Sequence, residues 1–253
     1  MRIGLGLGVG AGTCACVEES DLVGQLPGLV FLLDQDAADL TDAGAGACSA
    51  WADTSGAGIV ASLTQGTAAN RPTIGSSPVK VTFDGTNDLL TGGTTALTSG
   101  NPITVGIRFR LTAAAATFSL ITIAQPGSNA AEILILSLGG YQNVSFIAGI
   151  ASAGSAMSGF SPTHDTSVHT LVVTYNGSGA TTPANYTATW DGVAQTVVAS
   201  GNTTSPRGNA LGARFNGTLH IPAEARKVVV CEQVIAGADL ATLEAYLATD
   251  LAA

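Results

Sequence analysis

The strongest constraint on this chain is a period of two. Between residues 103 and 111, Ile103, Val105, Ile107, Phe109 and Leu111 face one way, and Thr104, Gly106, Arg108 and Arg110 face the other. That alternation marks a strand with one buried face. It recurs in Val79-Val81-Phe83, His169-Leu171-Val173-Tyr175 and Tyr186-Ala188-Trp190. Turn dipeptides punctuate the strands. Asp191-Gly192 predicts a hairpin joining Tyr186–Trp190 to Val193–Ala199, because Asp-Gly suits the positive φ values of a two-residue turn. Asp84-Gly85 and Asn176-Gly177 mark further turns. Short strands at this spacing predict an all-β sandwich over residues 26–253. One helix is expected near the end, where Leu240, Leu243, Leu247 and Leu251 recur at helical spacing, with Tyr246 adjoining and Asp239 in the first turn.

Composition excludes several classes. Charged residues are only 11% of 253, with 9 Lys+Arg against 18 Asp+Glu and a net charge of −9. A nucleic-acid partner needs a basic surface, and a disordered chain needs less apolar content than the 46% here. The uncharged runs 111–131 and 133–163 are broken by Gln125-Pro126-Gly127-Ser128-Asn129 and by Gly139-Gly140-Tyr141-Gln142-Asn143. A spanning helix needs about 20 consecutive apolar residues, so no membrane partner is expected. Glycine at every second position of Met1-Arg2-Ile3-Gly4-Leu5-Gly6 interrupts the apolar core of a signal peptide.

Residues 1–25 read as an extended arm. Gly4, Gly6, Gly8, Gly10 and Gly12 alternate with Ile3, Leu5, Leu7, Val9 and Ala11, which leaves one strand face bare for another backbone to approach. Arg2, Ile3, Leu5, Leu7 and Val9 are therefore expected to carry assembly contacts through strand pairing. The Gly-x-Gly-x-x-Gly spacing of a nucleotide loop is met at no register. The small-residue stretch 150–160 offers a second contact. Ala153, Ala156 and Met157 are expected at a subunit interface of a homo-oligomer, the alternative being a long loop over the sandwich.

Cys14, Cys16, Cys48 and Cys231 are too few for a disulfide framework in a chain this long and read as isolated thiols. His164, His169 and His220 lack metal-ligand spacing, and His169 reads as a satisfied strand histidine. No cofactor is expected. Asp53, Asp84, Asn87 and Asp88 form the candidate ligand or calcium loops. Calcium takes about six to eight oxygens, whereas these side chains are dispersed and suit tight turns, so turn chemistry is the preferred reading. Trp51 is read as a wedge between loop and sandwich, with a sugar platform as the alternative. Arg108 and Arg110 are read as solvated edge positions.

Several segments together resemble a known family. Leu26-Pro27-Gly28-Leu29-Val30-Phe31-Leu32-Leu33-Asp34 is similar to the opening strand of laminin-G-like, concanavalin-A-like jelly-roll domains of phage virion and bacterial surface proteins. Trp51-Ala52-Asp53-Thr54-Ser55-Gly56-Ala57-Gly58, Arg71-Pro72-Thr73, and the stretch Val81 to Leu90 follow in the family's order. Val168 to Gly177 and Leu243 to Ala248 then resemble its later strand and closing helix. Val168 and Leu89 stand where the family often has aromatic residues. The resemblance implies a jelly-roll sandwich that hosts lectins, adhesion modules, glycanases and virion proteins. Glycanases of this fold carry Glu-x-Asp-x-x-Glu on a strand. Here only Glu19-Ser20-Asp21 begins the pattern, Gly24 ends it, and a Gly-x-Ser-x-Gly elbow is missing. The expectation is a non-enzymatic virion structural protein, such as a capsid decoration, head-fibre or tail-associated protein, docked to other virion proteins through the arm. The alternative is a carbohydrate-binding or adhesion module of a bacterial surface protein, facing cell-surface glycan.

Overall fold

The structure, a computed structural model, describes residues 22–58, 62–92, 101–113, 117–123, 131–138, 141–150, 153–160, 165–177, 183–203, 209–214 and 216–250, with backbone alone for 117–118, 131–138, 141–150, 153–160, 183 and 198–203. In chain order the strands are β1 (Leu29–Leu33), β2 (Leu40–Asp42), β3 (Cys48–Trp51), β4 (Leu63–Thr64), β5 (Thr73–Ser76) and β6 (Val79–Asp84). There follow β7 (Leu90–Gly92), β8 (Ile103–Leu111), β9 (Thr117–Ile123), β10 (Ala131–Leu138), β11 (Tyr141–Ile150) and β12 (Ala153–Phe160). The last are β13 (Val168–Tyr175), β14 (Tyr186–Trp190), β15 (Val193–Ala194), β16 (Val198–Thr203), β17 (Asn209–Leu211) and β18 (Pro222–Cys231), before helix α1 (Gly237–Ala248).

These strands form two antiparallel sheets. The eight-stranded sheet runs β15-β14-β13-β8-β18-β6-β5, and β1 pairs with the C-terminal half of β18. The ten-stranded sheet runs β16-β12-β11-β10-β9-β17-β7-β4-β3-β2. The fold is thus the all-β, concanavalin-A-like sandwich with a C-terminal helix. The main core lies between the sheets, where Phe83, Val105, Ile107, Phe109, Leu171, Val173, Tyr175, Val228 and Val230 meet Trp51, Leu63, Leu90, Ile121 and Leu211. Burying each such large apolar side chain contributes about 1.5–3 kcal/mol.

The Asp191-Gly192 turn forms with φ of 51° and 74°, but its second strand stops after Ala194. The chain then crosses to the ten-stranded sheet and resumes as β16. Residues 153–160 are a strand, β12, paired with β11 on one side and β16 on the other. The loop reading of this stretch is therefore replaced. Ala153 stands opposite Ile150, Ala156 opposite Ile147, and Met157 opposite Phe146 and Ala199.

A second core lies on the outer side of the eight-stranded sheet, where α1 packs on β8 and β13. Leu243, Tyr246 and Leu247 meet Val172, Val229, Cys231 and Ile235 there. Val23 and Leu26 join the same cluster, fully or nearly buried, so the packed unit includes residues on the arm side of position 26. The arm residues Arg2, Ile3, Leu5, Leu7 and Val9, with Cys14, Cys16 and His164, lie outside the described residues, as do most of the residues in the two turns interrupting the uncharged runs.

Candidate functional site

The site grows out of the outward row of β8. Sequence alone gives Thr104, Gly106, Arg108 and Arg110 a solvated face. In the fold β8 is central, between β13 and β18, and its outward row docks the helix. The Thr104 hydroxyl donates to the Gln233 carbonyl at 2.7 Å and accepts from the Ile235 N–H at 3.1 Å. Gly106 lies beneath the helix: a Cβ there would stand 2.9 Å from Leu247 Cδ1 and 3.3 Å from Leu243 Cδ1. Arg108 closes the helix end, with Nη1 donating to the Leu247 and Ala248 carbonyls at 2.9 and 2.8 Å and Nε donating to Asp250 at 3.0 Å. The last carbonyls of a helix have no intrahelical donor, and a cation there also suits the helix dipole.

Arg226 occupies a bulge in β18 between Ala225 and Lys227. From there Nη1 donates to both Asp250 oxygens, at 2.8 and 2.7 Å. Burial opposes ionisation of Asp250, but the hydrogen bonds from Arg108, Arg226 and Gln35 prevail and hold its carboxyl at about 2. Arg110, not an edge residue either, pairs with Glu224, which Lys80 also meets at 3.2 Å.

Beside the helix end lies an open groove of 480 Å³. Val168, Thr170 and Arg108 form its floor, from the outward positions of β13 and β8. The Asp191-Gly192 turn is one wall, and Glu244, Ala245 and Ala248 of α1 are the other. The turn is fixed from behind: Asp191 Oδ1 accepts from the Thr170 N–H at 2.8 Å, and Oδ2 lies 2.8 Å from His169 Nδ1. His169 Nε2 faces Asp165 Oδ1 at 3.2 Å, and the ring stacks on Trp190 with centroids 4.6 Å apart. His169 is thus the satisfied strand histidine expected. Glu244 differs from the other groove carboxylate. Its Oε1 is shielded from water and has no hydrogen-bond partner among the described residues.

The candidate calcium residues do not converge. Asp53 belongs beside β1, where Oδ1 accepts from the Leu32 and Ser55 N–H groups at 2.9 and 3.0 Å, and Oδ2 accepts from the Ser55 hydroxyl. Leu32 pairs with Val229, whereas Asp84 pairs with Pro222 near the other end of β18. At about 3.3 Å per residue the two positions stand roughly 20 Å apart. Asp84 Oδ1 accepts from the Thr86, Asn87 and Asp88 N–H groups, and Asp88 Oδ2 accepts from the Asp84 N–H at 3.0 Å. Asn87 turns its Nδ2 to the Ala69 carbonyl. These oxygens serve backbone donors in turns. Burial first, then the neighbouring Asp84 charge, push the Asp88 carboxyl up to about 6, against the pull of that hydrogen bond and of His220. No group of three or more His, Cys, Asp or Glu suited to a metal occurs among the described residues. Trp51 is fully buried and donates Nε1–H to the Asp34 carbonyl at 3.0 Å, so it serves as a wedge. Cys48 and Cys231 are unpaired buried thiols, and burial pushes them up to about 11 and about 12.

Sequence reasoning missed the groove. Val168, Thr170 and Asp191 were legible as strand and turn residues, but Glu244 enters only through where α1 lands.

No protein-family model matches the chain, and no curated protein matches it in sequence. Solved structures share its fold. It is similar to domain 4 of AbnA, a GH43 extracellular arabinanase from Geobacillus stearothermophilus, in complex with arabinotriose: 12% identity and a TM-score of 0.56, over 87% of this chain and 98% of that one. The binding domain of Botulinum neurotoxin DC, solved with rat synaptotagmin II, matches at 11% identity and a TM-score of 0.57, over 87% and 51%. Trypanosoma rangeli sialidase, in complex with 2,3-difluoro-KDN, matches at 14% identity and a TM-score of 0.52. This chain covers 33% of that sialidase's length. At these identities the likeness is one of fold, a β-sandwich.

Proposed function

We propose that the chain is a non-catalytic binding module that engages carbohydrate or a cell-surface receptor at an extracellular or particle surface. The observation that carries this reading is the groove between the Asp191-Gly192 turn and α1. It is open, 480 Å³ in volume, and lined by Arg108, Asp191 and Glu244 together with Thr170 and small apolar residues. Sites for small ligands run from about 300 to 1,000 Å³ and combine apolar lining with a few placed polar groups. The arabinanase domain supports the reading, because nearly its whole length superposes on this chain and it was solved with arabinotriose. The deciding experiment is a glycan array probed with the purified chain, followed by calorimetry on any hit. Saturable binding is expected, and a silent array would overturn the carbohydrate form of the reading.

The virion placement is a second proposal. It is supported by the sequence resemblance and by the glycine alternation of the arm, and it makes the arm, with a homo-oligomer contact at Ala153, Ala156 and Met157, the route to other capsid or tail proteins. Incorporation of a tagged copy into particles tests it.

A further inference from the structure

The geometry points to a proton-operated clasp at the start of β13: His169, as the imidazolium, ties Asp165 to Asp191, and on losing its proton it keeps Asp191 and lets Asp165 go. The device is independent of what the groove binds. Both ring nitrogens of His169 face a carboxylate oxygen, Nδ1 the Asp191 Oδ2 at 2.8 Å and Nε2 the Asp165 Oδ1 at 3.2 Å. A neutral imidazole carries one N–H and the imidazolium carries two. The protonated ring therefore donates to both carboxylates, whereas either neutral tautomer sets a nitrogen lone pair against a carboxylate oxygen. A proton on Asp165 would also resolve that conflict. However, the N–H and hydroxyl of Ser167, and after them His169, hold the Asp165 carboxyl below the usual carboxylate range, which leaves the proton on the ring.

The surroundings decide which contact is released. The ring is buried, stacked on Trp190 at 4.6 Å, and Trp190 in turn meets Phe109 edge-on at 5.8 Å. Asp191 is fixed as well: Oδ1 accepts from the Thr170 N–H at 2.8 Å, its own N–H donates to the Thr170 carbonyl at 2.9 Å, and it opens the turn with φ of 51°. Asp165 is exposed, stands farther from the ring, and accepts from the Ser167 N–H two positions away. Among the described residues these two carboxylates are the charged groups that face the ring. β14 presents Trp190 to it, and β8 places Phe109 opposite. Arg108 and Arg110, flanking Phe109, point to the other face of the sheet, toward Asp250 and Glu224. The partner of each ring nitrogen sets where the last proton stays, so the neutral ring keeps it on Nδ1, against Asp191.

The test is nitrogen NMR of the full chain from about pH 5 to 9, a range that spans the titration of histidine. It follows the two ring nitrogens of His169 and the amide exchange of Ser167. Both nitrogens are expected to carry protons at the acid end and Nδ1 alone at the alkaline end. Across the same titration the protection of the Ser167 amide, corrected for the intrinsic pH dependence of exchange, should fall about tenfold as one charge-assisted hydrogen bond is lost. In Asp165→Asn, at an exposed position, the side-chain amide can donate to the Nε2 lone pair, so the neutral ring is accommodated. Ser167 protection should then stay level over the range, with the melting temperature showing that the variant is folded. A neutral ring that keeps its proton on Nε2, level Ser167 protection in the parent, or an equal fall in Asp165→Asn would each overturn the clasp.

Discussion

The fully buried Lys227 donates its ammonium to the backbone carbonyl of Tyr246 at 2.7 Å and stands 4.0 Å above the ring of the same residue. One side chain thus fastens the last turns of α1 to β18 by a hydrogen bond and a cation–π contact. Desolvation of a buried ammonium is costly, and the ring face and carbonyl are among the contacts that offset it. Lys227→Ala is expected to lose about 3 kcal/mol, because the stem's packing goes with the charge. Lys227→Met keeps the stem and should lose about 1 kcal/mol. Urea unfolding of the two variants measures the difference, and equal losses would show that the charge rather than the stem dominates.

Gly106 sets how closely the helix approaches. Gly106→Ala should cost about 1 kcal/mol and Gly106→Val about 3 kcal/mol through overpacking against Leu243 and Leu247. In the Gly106→Ala, Leu247→Ala double variant the two losses should be less than additive, since the space made by one is filled by the other. Strict additivity in denaturant melts would mean that the leucine ends relax freely.

How far these features were legible depends on their range. β8 and α1 were readable because their patterns are local: nine alternating residues in one case, leucines at helical spacing in the other. The fate of Arg108 and Arg110 was not, because a strand's own alternation does not say whether it lies at an edge or at the centre of its sheet. The hairpin after Trp190 was half legible. Asp191-Gly192 fixes the turn, but nothing local tells the chain to leave the sheet after Ala194. The groove was illegible because its walls come from residues about 50 positions apart that only packing brings together.

Two carboxylates should shape the dependence of stability on pH. Asp88 is raised from its ordinary 3.8 to about 6 in the fold. Its contribution is fully present below the ordinary value and is lost as pH rises through 6. Asp250 is lowered to about 2. Its contribution is present above the ordinary value and is lost as pH falls toward 2. Stability should therefore decline between pH 4 and 6.5 on account of Asp88, and Asp88→Asn should flatten that slope. Melting temperatures across this range in both proteins check it, and an unchanged slope in the variant would assign the decline to other groups.

Asp53 should behave as a turn residue. Asp53→Ala removes three acceptor contacts and should lose about 2 kcal/mol. Millimolar calcium or a chelator should leave the melting temperature of the parent unchanged. A calcium-induced rise of several degrees that vanishes in Asp53→Ala would restore the metal reading.

Deletion of residues 1–21 should leave the sandwich stable to within about 1 kcal/mol, whereas extending the deletion through Leu26 should cost about 3 kcal/mol or more, because Val23 and Leu26 leave the helix-side core. Thermal melts of the two truncations separate the outcomes. Equal stability would mean that the outer cluster closes without them.

The pairing of Leu29 with Cys231 in the eight-stranded sheet sets an order of events during synthesis. β1 is made about 200 residues before the strand it pairs with, and contacts so distant in sequence form slowly. At ribosomal rates of about 5–20 residues per second, β1 waits roughly ten to forty seconds for β18 to emerge. During that interval Val30, Phe31, Leu32 and Leu33 have no sheet to join. The opening strand is thus the part of the eight-stranded sheet that stays longest without its native neighbour while the chain is made.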